Sequence, residues 1–415
     1  MQISLPKSPP KSPHPILNLG FRIFFVSASV FAVISMLVWY ALLHGHVNLA
    51  DAQGLPLKNV PMAFYWHAHE MLYGYACAVI AGFLLTAVKT WTSQPMPYGW
   101  SLFGIFLPWA MARLMWLALP LVSADATLVT VVMWLAGLMD MLFWTLCTFA
   151  VIRPVWKVKQ KRQIGIVAKL SLLWVSQLLF YVGVLMGQLS LQKVGLYLGL
   201  YLIIGVVLTI GRRVLPFFIE RGVDEEVTLK NSALLDKLSL VSFFVFMLVD
   251  VFWGNAWLLS LSALAVAVIN GLRLLGWHTK GIWKKPLLWS LYGAFIAMCL
   301  GFVLFAVQPW LGFSHSLPVH VLALSGIGLM TLAMMSRVSL GHTGRNIHQP
   351  SPWVTVLLLL MTMAVVIRGL LPIVLPNHYM TLITLSQGLW VVSFLIFLVI
   401  YLPILSKPRP DGLFG

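Results

Sequence analysis

"FYWHAHEMLYGYACAVIAGFLLTAVKTWT", residues 64–92, joins two chemistries that ordinarily avoid each other. Its later part is an apolar run of membrane-spanning length, since a hydrocarbon core about 30 Å thick takes roughly 20 residues of helix. Its opening sets His67, His69 and Glu70 within four residues at the point where that run begins. The apolar part decides the fold class. Runs of the same kind recur along all 415 residues, of which 60% are hydrophobic and 9% charged, with a mean hydropathy of +0.93. Soluble domains carry about a quarter of their residues charged, so the composition excludes one and predicts an all-α polytopic membrane protein.

Working outward from helix 2, apolar runs between polar breaks give about twelve spans, near 19–43, 66–90, 99–119, 126–152, 167–189, 194–211, 234–254, 257–277, 286–307, 317–340, 353–373 and 380–405. Residues 1–18, with their Pro, Ser and Lys, read as a disordered tail, 19–405 as one twelve-helix transmembrane domain, and 406–415 as a short C-terminal tail. The first span is too long for the apolar core of a signal peptide and is expected to stay uncleaved. No large soluble domain and no internal repeat is evident.

The net charge of +16 sits in the loops. With the N-terminus inside, the inner loops take almost all the Lys and Arg, and the outer side only Lys58, Lys193 and Arg368. That asymmetry follows the positive-inside rule and puts both termini in the cytoplasm. It also accounts for the basic character without nucleic acid, leaving the lipid bilayer as the expected partner. Cys77, Cys147 and Cys299 lie far apart in apolar runs and read as buried structural thiols.

This topology sends His44, His46, His67, His69, His315, His320 and His378 to the outer side, and His14, His278, His342 and His348 to the inner. The 22 residues from His320 to His342 span about 33 Å of helix, a full bilayer, so those two cannot share a metal. His67, His69 and His320 begin helices 2 and 10 at similar depth and can meet if those helices pack together. On a regular helix His67 and Glu70 share a face while His69 points about 200° away from His67. Either the first turn is irregular or the two histidines serve different tasks. Glu70, Gly74, Ala78 and Gly82 form an i+4 row of small residues that admits another helix, or a flat ring, close to the backbone.

Ionisable clusters inside spans are costly and usually functional. A single interfacial histidine such as His44, His46, His315 or His378 reads more simply as a hydrated side chain. An imidazole-rich site suits haem or copper better than calcium or magnesium. Arg113 and Arg368, both in the outer half, are candidate partners for haem propionates, with Asp140 an equally good partner for Arg113. At the inner side, "GRRVLPFF" (211–218) ends helix 6 and breaks it at Pro216, while "MSRVSLGHTGR" (335–345) ends helix 10. Arg212, Arg213, Arg337, His342 and Arg345 read as basic helix ends that complement the C-terminal dipole, without an assigned role.

Three blocks in order, "HAHEMLYGYACAVIAGFLLTAV" (67–88), "GRRVLPFF" (211–218) and "LAMMSRVSLGHTGR" (332–345), resemble the NnrS family. The resemblance implies a bacterial inner-membrane protein that contains haem and copper and is linked to nitric oxide metabolism and nitrosative stress. Its HxHEM pattern falls on His67, His69, Glu70 and Met71, and its last block on Arg337, His342 and Arg345. The chain departs from the pattern in Lys89-Thr90 and in the run after His320. The layout is also similar to the catalytic subunit of haem-copper oxidases, whose histidines on helices 2 and 10 ligate haem. Helix 6 has no histidine and no His-His pair follows helix 7, which argues against a full binuclear centre.

On this reading His69 and His320 are the axial haem ligands, and His67 with Glu70 supports that site or forms a copper site with His44 and His46. A bis-histidine haem has no open position for nitric oxide unless a ligand leaves, so a redox enzyme and a binder both stay open, and the electron donor is unknown. The rivals are a proton-coupled transporter using His67, Glu70, Arg113 and Asp140, and a copper-handling membrane protein.

Overall fold

A computed structural model describes residues 14–47, 62–122 and 125–415. Twelve helices follow in chain order: α1 (Gly20–Leu43), α2 (Ala63–Thr92), α3 (Trp100–Val122), α4 (Ala126–Lys157), α5 (Ile164–Leu185), α6 (Leu189–Gly222), α7 (Ala233–Leu248, extended by a π turn Val249–Trp253), α8 (Ala256–Trp277), α9 (Pro286–Leu311), α10 (Ser316–His342), α11 (Pro352–Gly369) and α12 (Tyr379–Ser406). Eleven of them are long and apolar enough to cross a membrane. The twelfth, α7, keeps Asp236, Lys237 and Asp250 along its length. The anticipated tail 1–18 lies largely outside the described residues; Pro15–Leu17 form a 3-10 turn.

Helices consecutive in sequence pack side by side, and α12 returns to α1. Enclosure separates the inner helices from the outer. The apolar stretch of α2 is 83% buried and that of α10 72%, against 33% for α12, so both histidine-bearing helices run through the middle of the bundle. The outer helices turn Trp134, Leu138, Phe149, Leu261, Leu275 and Val399 outward. An apolar belt of that extent matches lipid, not water.

The row of small residues on α2 is filled by α1 and by Arg113. A Cβ on Gly82 would stand 2.8 Å from Phe24 Cβ, and one on Gly74 would meet Phe31 and the Arg113 guanidinium at 2.7 Å. The row thus serves helix packing and holds no flat ring.

Pro216 does not break α6, contrary to the expectation from sequence. The helix continues from Leu189 through Pro216 to Gly222. Proline removes one N–H and crowds the carbonyl four residues back, but Leu215, Pro216 and Ile219 are all buried, and their packing outweighs the local loss. Residues 211–222, including the whole of the "GRRVLPFF" stretch, are therefore helical.

A histidine and ion-pair cluster at one end of the bundle

α2 and α10 share a local device. In α2 the α-helix runs to His69 and then loosens into a π turn, Glu70–Ala76; in α10 a π turn, Ala323–Leu329, begins three residues after His320. Such turns free backbone groups from the helical ladder and recur at functional sites. In α2 the Gly74 carbonyl accepts from the Trp109 indole at 2.9 Å, and beyond the turn in α10 Thr331 Oγ1 meets the Tyr75 hydroxyl at 2.6 Å. The two histidine helices are tied together there.

His67 and His69 do diverge, as helical geometry requires, and the structure places their surroundings far apart in character. His67 meets α10: its ring and that of His320 lie 6.5 Å apart between centres and only 8° from parallel. On α1, Trp39 stacks on His67 at 4.5 Å. His67 Nδ1 is buried without a hydrogen-bond partner among the described residues. His320 Nδ1–H donates to the Ser316 carbonyl at 2.7 Å, which leaves the lone pair on Nε2. Arg368 closes the group, its Nη2 lying 3.3 Å from Ser316 Oγ and 3.4 Å from both His320 Nε2 and the Tyr379 hydroxyl.

His69 belongs to a different cluster, which corrects its expected pairing with His320. It is fully buried among Tyr73, Trp116, Phe180 and Tyr181. Its Nδ1 bonds Glu70 Oε1 at 2.8 Å, and its Nε2 lies 3.7 Å from Asp140 Oδ2. Arg113 clamps the same two carboxylates, bonding Glu70 Oε1 at 2.6 Å and Asp140 Oδ1 closely. Tyr181 donates to Asp140 Oδ2 at 2.6 Å and accepts from the Trp116 indole at 2.9 Å. Arg113 is thus committed to protein carboxylates, the alternative that sequence left open against propionate contact.

His44 and His46 do not join His67. They sit exposed at the end of α1, their rings 6.3 Å apart and 13° from parallel, with His44 also contacting Thr384 of α12. His315 lies 3.5 Å from Asp250, which the π turn of α7 holds against Tyr201. All three cysteines are free. At the opposite end, two motif stretches meet where the Arg337 guanidinium covers the Phe218 ring at 4.1 Å. Arg212 pairs with Asp236 at 3.5 Å, Arg213 bonds Gln163, His342 packs on Phe21, and Arg345 bonds the Thr343 carbonyl.

Sequence reasoning missed Ser316, Trp39 and Tyr181. Ser316 stands four residues before His320, a spacing that could have marked it; the other two arrive through long-range packing and leave no local signal.

Two imidazole nitrogens each about 2.0–2.1 Å from one ion set their ring centres roughly 6 Å apart, close to the His67–His320 spacing. Among the described residues no group of three or more His, Cys, Asp or Glu side chains converges as metal ligands. His67 and His320 are the two imidazoles that would be available to hold a metal-bearing group here.

Fold and site together define an all-helical polytopic membrane protein with paired imidazoles and a buried ion-pair network at one end. No curated protein matches the sequence. A family model, described as NnrS protein, matches residues 15–409, nearly the whole chain, and the chain belongs to that family. It is accordingly a nitric oxide-related membrane protein.

Proposed function

We propose that this protein holds a haem between His67 and His320 and acts on, or protects against, nitric oxide and its products. The observation that carries the reading is the parallel pair of imidazoles, 6.5 Å apart, offered by two enclosed helices. Bound there, haem would supply redox and small-ligand chemistry at its iron. The chain's own residues supply the rest. Ser316 fixes the His320 tautomer, an outer contact of the kind that orients metal ligands. Trp39 covers His67, and Arg368, with Nη1 lacking a partner among the described residues, offers a guanidinium to a carboxylate at the edge of the site. His69 and Glu70 stand behind as part of the Arg113–Asp140 network and brace α2.

Copper has its best donors in His44 and His46. We place the protein in the bacterial inner membrane with both termini cytoplasmic, an orientation that the loop charges support. The second reading, a proton-coupled carrier, draws on the enclosed Glu70, Arg113, Asp140 and His69.

Colour decides between them. Protein purified in detergent should show a Soret band that His67→Ala and His320→Ala abolish and His69→Ala retains, with copper assayed on the same sample. A colourless, metal-free protein would promote the carrier, and copper without iron the copper-handling protein.

A further inference from the structure

At the end of the bundle opposite His67, a cavity of about 550 Å³ opens where the ends of α2 and α10 meet the start of α1 and the segment after α12. Lys89, Thr90, Ser93, Gln94, His342 and Arg409 contribute to its wall. Ser93 closes α2 in the left-handed region, with φ 53°, a conformation a non-glycine residue adopts only when its surroundings impose it. Leu19 also lines the cavity, and Arg22 stands one turn further on the same face of α1. Arg22 is fully buried. Its Nη1 donates to the Leu405 and Lys407 carbonyls at 2.7 and 2.8 Å, while its Nε and Nη2 have no partner among the described residues.

Two basic side chains, Lys89 and Arg409, line this cavity beside His342, with Arg22 buried one turn beyond Leu19, and Arg409 bonds Asp411 at 2.9 and 2.5 Å and the His342 carbonyl at 2.9 Å. Like charges brought together at a membrane face repel unless an anion joins them. The unsatisfied guanidinium nitrogens call for an acceptor, and oxygens of a phosphate group match guanidinium and ammonium donors. We propose that this cavity is a binding site for a phosphate group, either that of an anionic phospholipid reaching in from the leaflet or that of a soluble phosphate compound. Lys89 and Arg409 would hold it from the wall, with Thr90 and Ser93 as hydroxyl donors and Arg22 beneath.

The test uses delipidated full-length protein in neutral detergent, with Lys89→Gln as the main variant. Lys157→Gln, an exposed lysine at the same end of the bundle but outside the cavity wall, is the control. Thermal unfolding is followed against inorganic phosphate with chloride at matched ionic strength, and native mass spectrometry counts retained phosphatidylglycerol. A lipid site predicts saturable phosphatidylglycerol binding, weakened about ten-fold by Lys89→Gln and unchanged in the control, with little response to inorganic phosphate. A soluble ligand predicts the reverse, a saturable rise in melting temperature with phosphate that Lys89→Gln removes. The proposal is overturned if neither probe acts beyond chloride, or if Lys89→Gln and Lys157→Gln respond alike, which would mean general surface charge.

Discussion

Arg113 shows how a single side chain sets the character of this protein's interior. It bonds Glu70 and Asp140 at once, from the middle of a bundle that faces lipid. Removing one member of a buried ion network leaves charge uncompensated, at a cost of about 3–5 kcal/mol. Arg113→Met should therefore lower the melting temperature sharply, and Arg113→Lys should recover only part of it, because one ammonium cannot reproduce a planar fork. Adding Glu70→Gln to Arg113→Met should restore some of the loss. Thermal unfolding of the purified variants in detergent checks all three. The same residue shows the limits of sequence. Glu70, Arg113 and Asp140 were visible as ionisable groups within spans, but which partner Arg113 takes depended on how α2, α3 and α4 face one another.

Among the elements, the π turn of α2 is the most instructive. Within that turn the Gly74 carbonyl accepts a hydrogen bond from the Trp109 indole. Trp109→Phe keeps an aromatic ring against Phe24 and Phe31 but removes the donor, and should cost about 0.5–1.5 kcal/mol, the net worth of one hydrogen bond. Denaturation midpoints would register it. The segment after α12 makes a second, pH-dependent prediction. Hydrogen bonds from Arg409 hold the exposed Asp411 carboxyl at about 2, below its ordinary value. A depressed carboxyl contributes order that is complete above the unfolded value near 4 and is lost as pH falls towards the folded one. Pepsin should therefore cut residues 407–415 slowly at pH ~4 and faster at pH ~2, at matched enzyme activity. Equal rates would show that the Arg409–Asp411 link does not order the segment. Helix positions themselves were legible in sequence, because spans in lipid must be apolar and about as long as the bilayer is thick. The end of α6 was not, because a proline's local penalty was offset by packing that only the assembled bundle supplies.

For the whole molecule, the loops assign an orientation that labelling can test. A cysteine at Lys159 should react with an impermeant maleimide only after cells are opened, and one at Gln188, at the other end of α5, should react in intact cells; both positions are exposed. The opposite pattern would reverse the assigned orientation.

Residues 64–92 determined more than their own helix. Apolar length fixed the fold class, and the 3.6-residue period required His67 and His69 to part. These are local quantities, read one span at a time. Which histidine meets His320 is not local. It follows from how α2 rotates against α1, α4 and α10, and that rotation turns His67 toward His320 and Trp39 and His69 toward Glu70 and Asp140. Tertiary structure decided it because close contacts among helices choose between two faces that the sequence presents as equals.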